Sequence, residues 1–204
     1  MYLPKPFAVE DETQTFDFIE QNNFGILVTN IKRTTNANHV PFLLDREKRQ
    51  LLGHFAKSNN QWRELEANKN VLVIFQGPHA YISPSWYVSE NLVPTWNFAA
   101  VHVYGEAEIV QSKDETFGIV ESLSKKHESG FDRPWQSASM NQEVLQSMLG
   151  AIVGFKINIM QIQAKAKLSQ NRSEKDQAGA IDALRKQGSE QELAIATLMQ
   201  TELE

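Results

Sequence analysis

Cysteine is absent from the 204 residues. That excludes disulfides, thiolate-ligated zinc and thiol catalysis, and it fits a reducing compartment. No apolar run approaches the ~20 residues that cross a bilayer. The opening Met1-Tyr2-Leu3-Pro4-Lys5-Pro6 lacks the apolar core of a signal peptide, so a cytoplasmic protein is expected. An overall basic charge is also missing: the formal net charge is -5 and the pI about 5.6, so nucleic acid could be held only by a local patch. No GxGxxG or Walker pattern is present, and no HxH or HExxH spacing joins His39, His54, His79 and His102. Half-buried, hydrogen-bonded histidines and no protein-bound catalytic metal are therefore expected. Ser83 and Ser85 sit in no GxSxG elbow, which leaves serine hydrolysis without support.

What is present is a chain of 41% hydrophobic and 22% charged residues, enough for one full core with appended helices. Its organising stretch is Val71 to Val110, which holds two of the four Trp and three of the four Tyr. Val71–Phe75 reads as a strand covered on both faces and ended by Gly77-Pro78. Val101, Val103, Ala107 and Ile109 alternate with polar residues as in a half-buried antiparallel strand. Between them Pro84, Pro94, Tyr81, Trp86, Tyr87, Trp96 and Phe98 read as a long ordered loop.

In chain order, Asp11 caps a short helix ending near Asn22. Strands follow at Phe24–Thr29 and His39–Asp45, with a turn at Asn36-Ala37-Asn38 and Pro41 on an edge or bulge. A third strand, Leu51–Ala56, enters a helix from about Asn59 to Asn68, with Ser58 and Gln61 at capping-box spacing. Lys113–His127 and Asn141–Gly150 read as amphipathic helices. Val153–Gln163 alternates as a strand. Two helical stretches, Glu174–Lys186 and Glu190–Gln200, break at Gly188. About six strands with helices around them predict an antiparallel barrel rather than βαβ units.

Three groups bear on function. The Lys57-Ser58-Asn59-Asn60 turn joins a strand to a capped helix, where free N–H groups, a lysine and a hydroxyl suit a phosphate; an ordinary helix cap has the same pattern. The aromatics of the loop suit either a planar heterocycle or a dimer interface. Lys165, Lys167 and Arg172, with Ser169, Gln170 and Asn171, read as an anion site or as a solvated linker.

Taken together, FQGPHAYISPSWY (Phe75–Tyr87), VPTWNF (Val93–Phe98), VHVYG (Val101–Gly105), KLSQNRS (Lys167–Ser173), the opening MYLPKPF and LLGHFAKSNNQWREL (Leu51–Leu65) resemble the PaiB family of negative transcriptional regulators, within the FMN-binding split-barrel superfamily. The resemblance implies an α+β fold: a six-stranded antiparallel split β-barrel over residues 1–172, with peripheral helices and a helical extension, 173–204, packed on it. It further implies a homodimer with FMN in a groove between subunits, as in the pyridoxamine-phosphate oxidases. By the resemblance, the phosphate-side segment falls on His54, Phe55, Ala56, Lys57 and Ser58, and Asn60 and Gln61 open the next helix where the oxidases carry basic residues. More of the phosphate contact then rests on Lys57 and the backbone. Asn38 and His39 match the strand under the isoalloxazine, and Thr95, Trp96 and Asn97 approach the ring or the partner subunit. Lys167, Ser169 and Gln170 complete the cofactor-binding set. The implied function is a dimeric, FMN-responsive repressor, with DNA contacts drawn from Lys165, Lys167, Arg172, Lys175, Arg185 and Lys186; the alternative is a small FMN-dependent oxidoreductase or flavin reductase. Haem handling finds no motif.

Overall fold

The computed structural model describes residues Met1–Leu203. In chain order its elements are β1 (Ala8–Val9), α1 (Glu12–Gln21), β2 (Phe24–Ile31), β3 (Thr34–Pro41), β4 (Leu43–Asp45), β5 (Gln50–Ala56), α2 (Gln61–Ala67), β6 (Asn70–Ile82), β7 (Thr95–Ile109), α3 (Lys113–Glu128), α4 (Gln142–Gly150), β8 (Ile152–Lys167), α5 (Glu174–Gln187) and α6 (Glu190–Leu203). The strands run in the order β3-β2-β6-β7-β8-β5-β4, and β1 pairs with β8. Six of them are the long strands expected from sequence. The expected His39–Asp45 strand divides into the end of β3 and the three-residue β4, and β1 has only two residues, too few for alternation to reveal. The fold is therefore α+β with a mainly antiparallel sheet, and β3 is an edge strand that tolerates Pro41 at its end.

Two compact units arise: one from residues 1–18, 76–101 and 163–204, the other from residues 19–75 and 102–162. Strands β6, β7 and β8 run through both. In the first unit Asp11 Oδ1 accepts the Gln14 N–H at 3.0 Å, the cap read from sequence. Its core joins Ala80 and Ile82 of β6 and Leu168 to Ala180, Ile181 and Leu184 of α5 and Ile195, Ala196 and Met199 of α6. Gly188, at φ +76°, ends α5 by donating its N–H to Leu184 O at 3.1 Å, a left-handed cap that opens the way to α6.

In the second unit β5 and β8 pair antiparallel, with Gly53 opposite Phe155 and His54 opposite Gly154. Phe155 has no exposed surface; it meets Phe42 edge-on at 6.1 Å and Phe55 at 4.9 Å. Val110, Ile119 and Leu123 form a smaller apolar cluster against Leu43 and Leu52.

Several expected boundaries move. The hairpin of β2 and β3 turns at Lys32-Arg33, because Ile31 pairs with Thr34, and Asn36–Asn38 are strand. Lys32 takes φ +59° there, a conformation that lysine does not advertise in sequence. β6 does not stop at Gly77-Pro78. A Cβ on Gly77 would lie 2.7 Å from the Phe18 ring, so the glycine admits an aromatic neighbour instead of making a turn. β7 starts at Thr95, which places Trp96 and Phe98 on a strand and leaves the loop shorter than expected.

Candidate functional site

The predicted site residues fall into two groups, one in each unit. In the second unit, β5 ends at Ala56 and the chain turns through Lys57 and Ser58 into α2. The Lys57 N–H donates to Ala151 O at 2.8 Å, its ammonium donates to Gly150 O, and its own carbonyl accepts the Trp62 indole N–H at 3.0 Å. Lys57, Trp62, Glu66, Lys113, Thr116 and Val153 are among the residues that line a hollow of about 350 Å³. Among the described residues, Lys57 forms no ion pair. His54, half-buried on β5, has a buried Nδ1 with no hydrogen-bond partner, and burial lowers its pKa, so the ring is neutral near pH 7. Phe55 belongs to the core, at 3% exposure, whereas Ala56 and Ser58 face solvent.

The Ser58–Gln61 capping box does not form. Asn59 Oδ1 accepts the Gln61 N–H at 3.0 Å instead. The Gln61 side chain is 2% exposed and donates to Leu27 O at 2.9 Å and Thr29 Oγ1 at 3.1 Å while accepting from Asn38 Nδ2 at 2.9 Å. Glu64, one turn on, accepts from the Thr29 hydroxyl and the Asn36 amide. Buried amides need partners, and acceptors on β2 outcompete a local cap. Asn60 Oδ1 is taken by Arg63. Asn38 is thus fixed by Gln61, and His39 beside it is exposed and stacked on Phe24, with 5.7 Å between centroids.

In the first unit Lys167 donates to Thr95 Oγ1 and, at 2.6 Å, to Trp96 O. The Trp96 ring is 53% exposed and lies 6.0 Å from both His79 and Tyr81. Asn97 is fully buried and exchanges hydrogen bonds with Ser169, at 3.0 and 3.2 Å. Gln170 accepts the Leu168 N–H at 2.8 Å and donates to Ala166 O at 2.6 Å. Asn97, Ser169 and Gln170 therefore hold the turn after β8 in shape, with Lys167 at the end of β8 tied to Thr95 and Trp96 of β7.

Sequence reading missed Asp176, a buried carboxylate that accepts from Val88 N–H at 2.8 Å, Ser89 N–H at 3.0 Å, Ser89 Oγ at 2.7 Å and Ser173 Oγ at 2.8 Å. Only the Ser173-to-Asp176 spacing at the start of α5 could have flagged it.

Comparison with known proteins places this geometry. Residues 1–161 match the family described as "Putative FMN-binding domain". The chain belongs to that family. Over 205 aligned residues it is 42% identical to the protease synthase and sporulation protein PAI 2 of Bacillus subtilis (strain 168), covering 100% of this chain and 98% of that one, which bears out the PaiB resemblance. Two solved structures share the fold at 12% identity: a flavocytochrome from Azotobacter vinelandii (TM-score 0.61, 84% of this chain and 75% of that one) and an FAD- and heme-binding protein from Mycobacterium smegmatis (TM-score 0.60, 84% and 78%). Among the described residues no helix is long and apolar enough to cross a membrane.

Proposed function

We propose that this protein is an FMN-binding, PaiB-like transcriptional regulator that acts as a cytoplasmic homodimer. The observation that carries the flavin reading is the Lys57 segment: an ammonium that forms no ion pair at the end of β5, beside a hollow that Trp62 helps to line, with the orphaned His54 Nδ1 on the same strand. These groups fit a phosphate, since Lys57 supplies charge and the Ser58 turn supplies a hydroxyl. Asn60 and Gln61 are already engaged by their neighbours and contribute shape rather than new contacts. When bound, FMN supplies a planar redox-active ring; the chain's own part is to anchor its phosphate and to present flat polar and aromatic surface.

Lys57→Ala is expected to weaken FMN binding by about 1–3 kcal/mol, the range for a charge-assisted hydrogen bond. Fluorescence titration of FMN checks this, with thermal unfolding to confirm that losing the Gly150 contact leaves the fold intact. Unchanged affinity removes Lys57 from the phosphate contact.

The dimer reading is supported by the exposed Tyr81, Trp96, Val88 and Val93 of the first unit, surface of a kind that a second copy covers. Sedimentation at micromolar concentration should give a dimer, and a monomer with or without FMN would end that reading. The regulatory role follows the relative's sporulation-linked name, and any DNA contact must come from local basic groups and weaken steeply with salt. The alternative is a small FMN-dependent oxidoreductase, for which His54, on β5 with its pKa lowered by burial, is the candidate proton acceptor. Bleaching of the flavin absorbance by NADH or NADPH, with no DNA fragment retained at low salt, would select the alternative.

A further inference from the structure

Three cations gather in the first unit around the end of β8, and among the described residues none forms an ion pair. Lys165 is only 9% exposed; its ammonium donates to Tyr2 O at 3.1 Å and lies 5.5 Å from the Tyr2 ring and 5.2 Å from the Phe98 ring. Lys167, two residues on and so on the same strand face, uses two of its three N–H donors on Thr95 and Trp96 O. Its pKa is held below the usual lysine range, first by burial and then by the charges of Lys165 and Arg172. Arg172 is half-buried with its guanidinium 5.7 Å from the Tyr87 ring centre, and among the described residues its side chain has no hydrogen-bond partner. The Tyr87 hydroxyl is itself buried without a partner.

Gathering like charges out of water without a counter-ion is unfavourable, and so is burying an unpartnered hydroxyl. A single oxyanion would answer both. It would take the free fork of Arg172, the third donor of Lys167 and the Tyr87 O–H, and would reverse the mutual repulsion. We propose that Lys167, Arg172 and Tyr87, backed by the charge of Lys165, form a binding site for the carboxylate or phosphate of a small ligand. The site differs from the Lys57 segment and rests on the flavin reading only in assigning the cofactor phosphate to that segment.

Calorimetric titration of inorganic phosphate, and separately of benzoate, into the flavin-free full chain tests it. Both are expected to bind. Arg172→Gln and Lys167→Met should each weaken them about tenfold or more, as for a lost charge-assisted hydrogen bond, and Lys57→Ala should not. If Lys167→Met fails to fold, Arg172→Gln decides, because its guanidinium carries no hydrogen bond of the fold. Absence of binding by the wild-type chain, or equal binding by Arg172→Gln, overturns the proposal. A parallel titration with FMN and riboflavin separates the two sources of phosphate. Competition between FMN and inorganic phosphate, with FMN but not riboflavin weakened by Arg172→Gln, would make this the cofactor's own phosphate site and overturn the separate-ligand assignment. If neither flavin binds while phosphate responds as expected, the flavin reading fails and the oxyanion site stands.

Discussion

Phe155→Ala is expected to lower the unfolding free energy by about 3–5 kcal/mol, the cost of removing a fully buried aromatic ring from a core that can only partly collapse. Phe155 is completely buried, and its ring contacts both Phe42 and Phe55, so no rearrangement of one neighbour refills the space. The ring also lies across Gly53, its partner in the β5–β8 register: a Cβ on Gly53 would sit 2.6 Å from the end of the Phe155 ring. Gly53→Ala alone should therefore cost about 1–3 kcal/mol through overpacking. In the Phe155→Ala background the same substitution meets a void, and its cost should fall or change sign. A double-mutant cycle in urea measures this. Additive losses would show that the glycine is needed for some reason other than the ring.

This pair also shows how the sequence was and was not readable. The alternation of Phe155, Ile157 and Ile159 exposes a strand by period alone, because burial of one face is a local pattern. The requirement for Gly53 opposite Phe155 is set by a partner about a hundred residues away, and no local pattern encodes it. Gln61 teaches the same lesson. Its spacing from Ser58 predicts a cap, yet its amide is taken by Leu27 and Thr29 on a strand that only the fold brings near. The Lys57 segment was legible because a strand end, a lysine and a helix start adjoin in the chain. The Arg172–Tyr87 pair was legible only as two separate notes, a basic run and an aromatic loop, until the fold joined them. Gly77 and Pro78 misled for the opposite reason: their turn propensity is local, and packing of Gly77 against Phe18 overrode it.

Asp176→Asn should release the segment around Val88 and Ser89. The Asp176 carboxylate accepts both of those amide N–H groups and the Ser89 hydroxyl, as well as the Ser173 hydroxyl, and a neutral amide side chain in its place keeps only one oxygen for them. Those hydrogen bonds, the Ser89 hydroxyl foremost, lower the pKa of Asp176 to about 2, from an ordinary 3.8. A carboxyl whose pKa is depressed on folding adds stability that is fully present above the unfolded value and is lost as pH falls through the folded one. The advantage of wild type over Asp176→Asn should therefore be constant above about pH 4 and vanish toward pH 2. Near neutral pH, amide exchange at Val88 and Ser89 should quicken by about tenfold or more in the variant, since the acceptor loses its charge and a single oxygen is left for four donors. Gly179→Ala offers an independent route to the same result. A Cβ there would lie 2.2 Å from Trp86 O, so α5 and the preceding turn of the segment must part. If both variants quicken exchange at Val88 and Ser89, α5 holds this segment through Asp176 and through the close approach at Gly179. If Asp176→Asn leaves both amides protected at neutral pH, the carboxylate is a passenger in a segment held by packing alone.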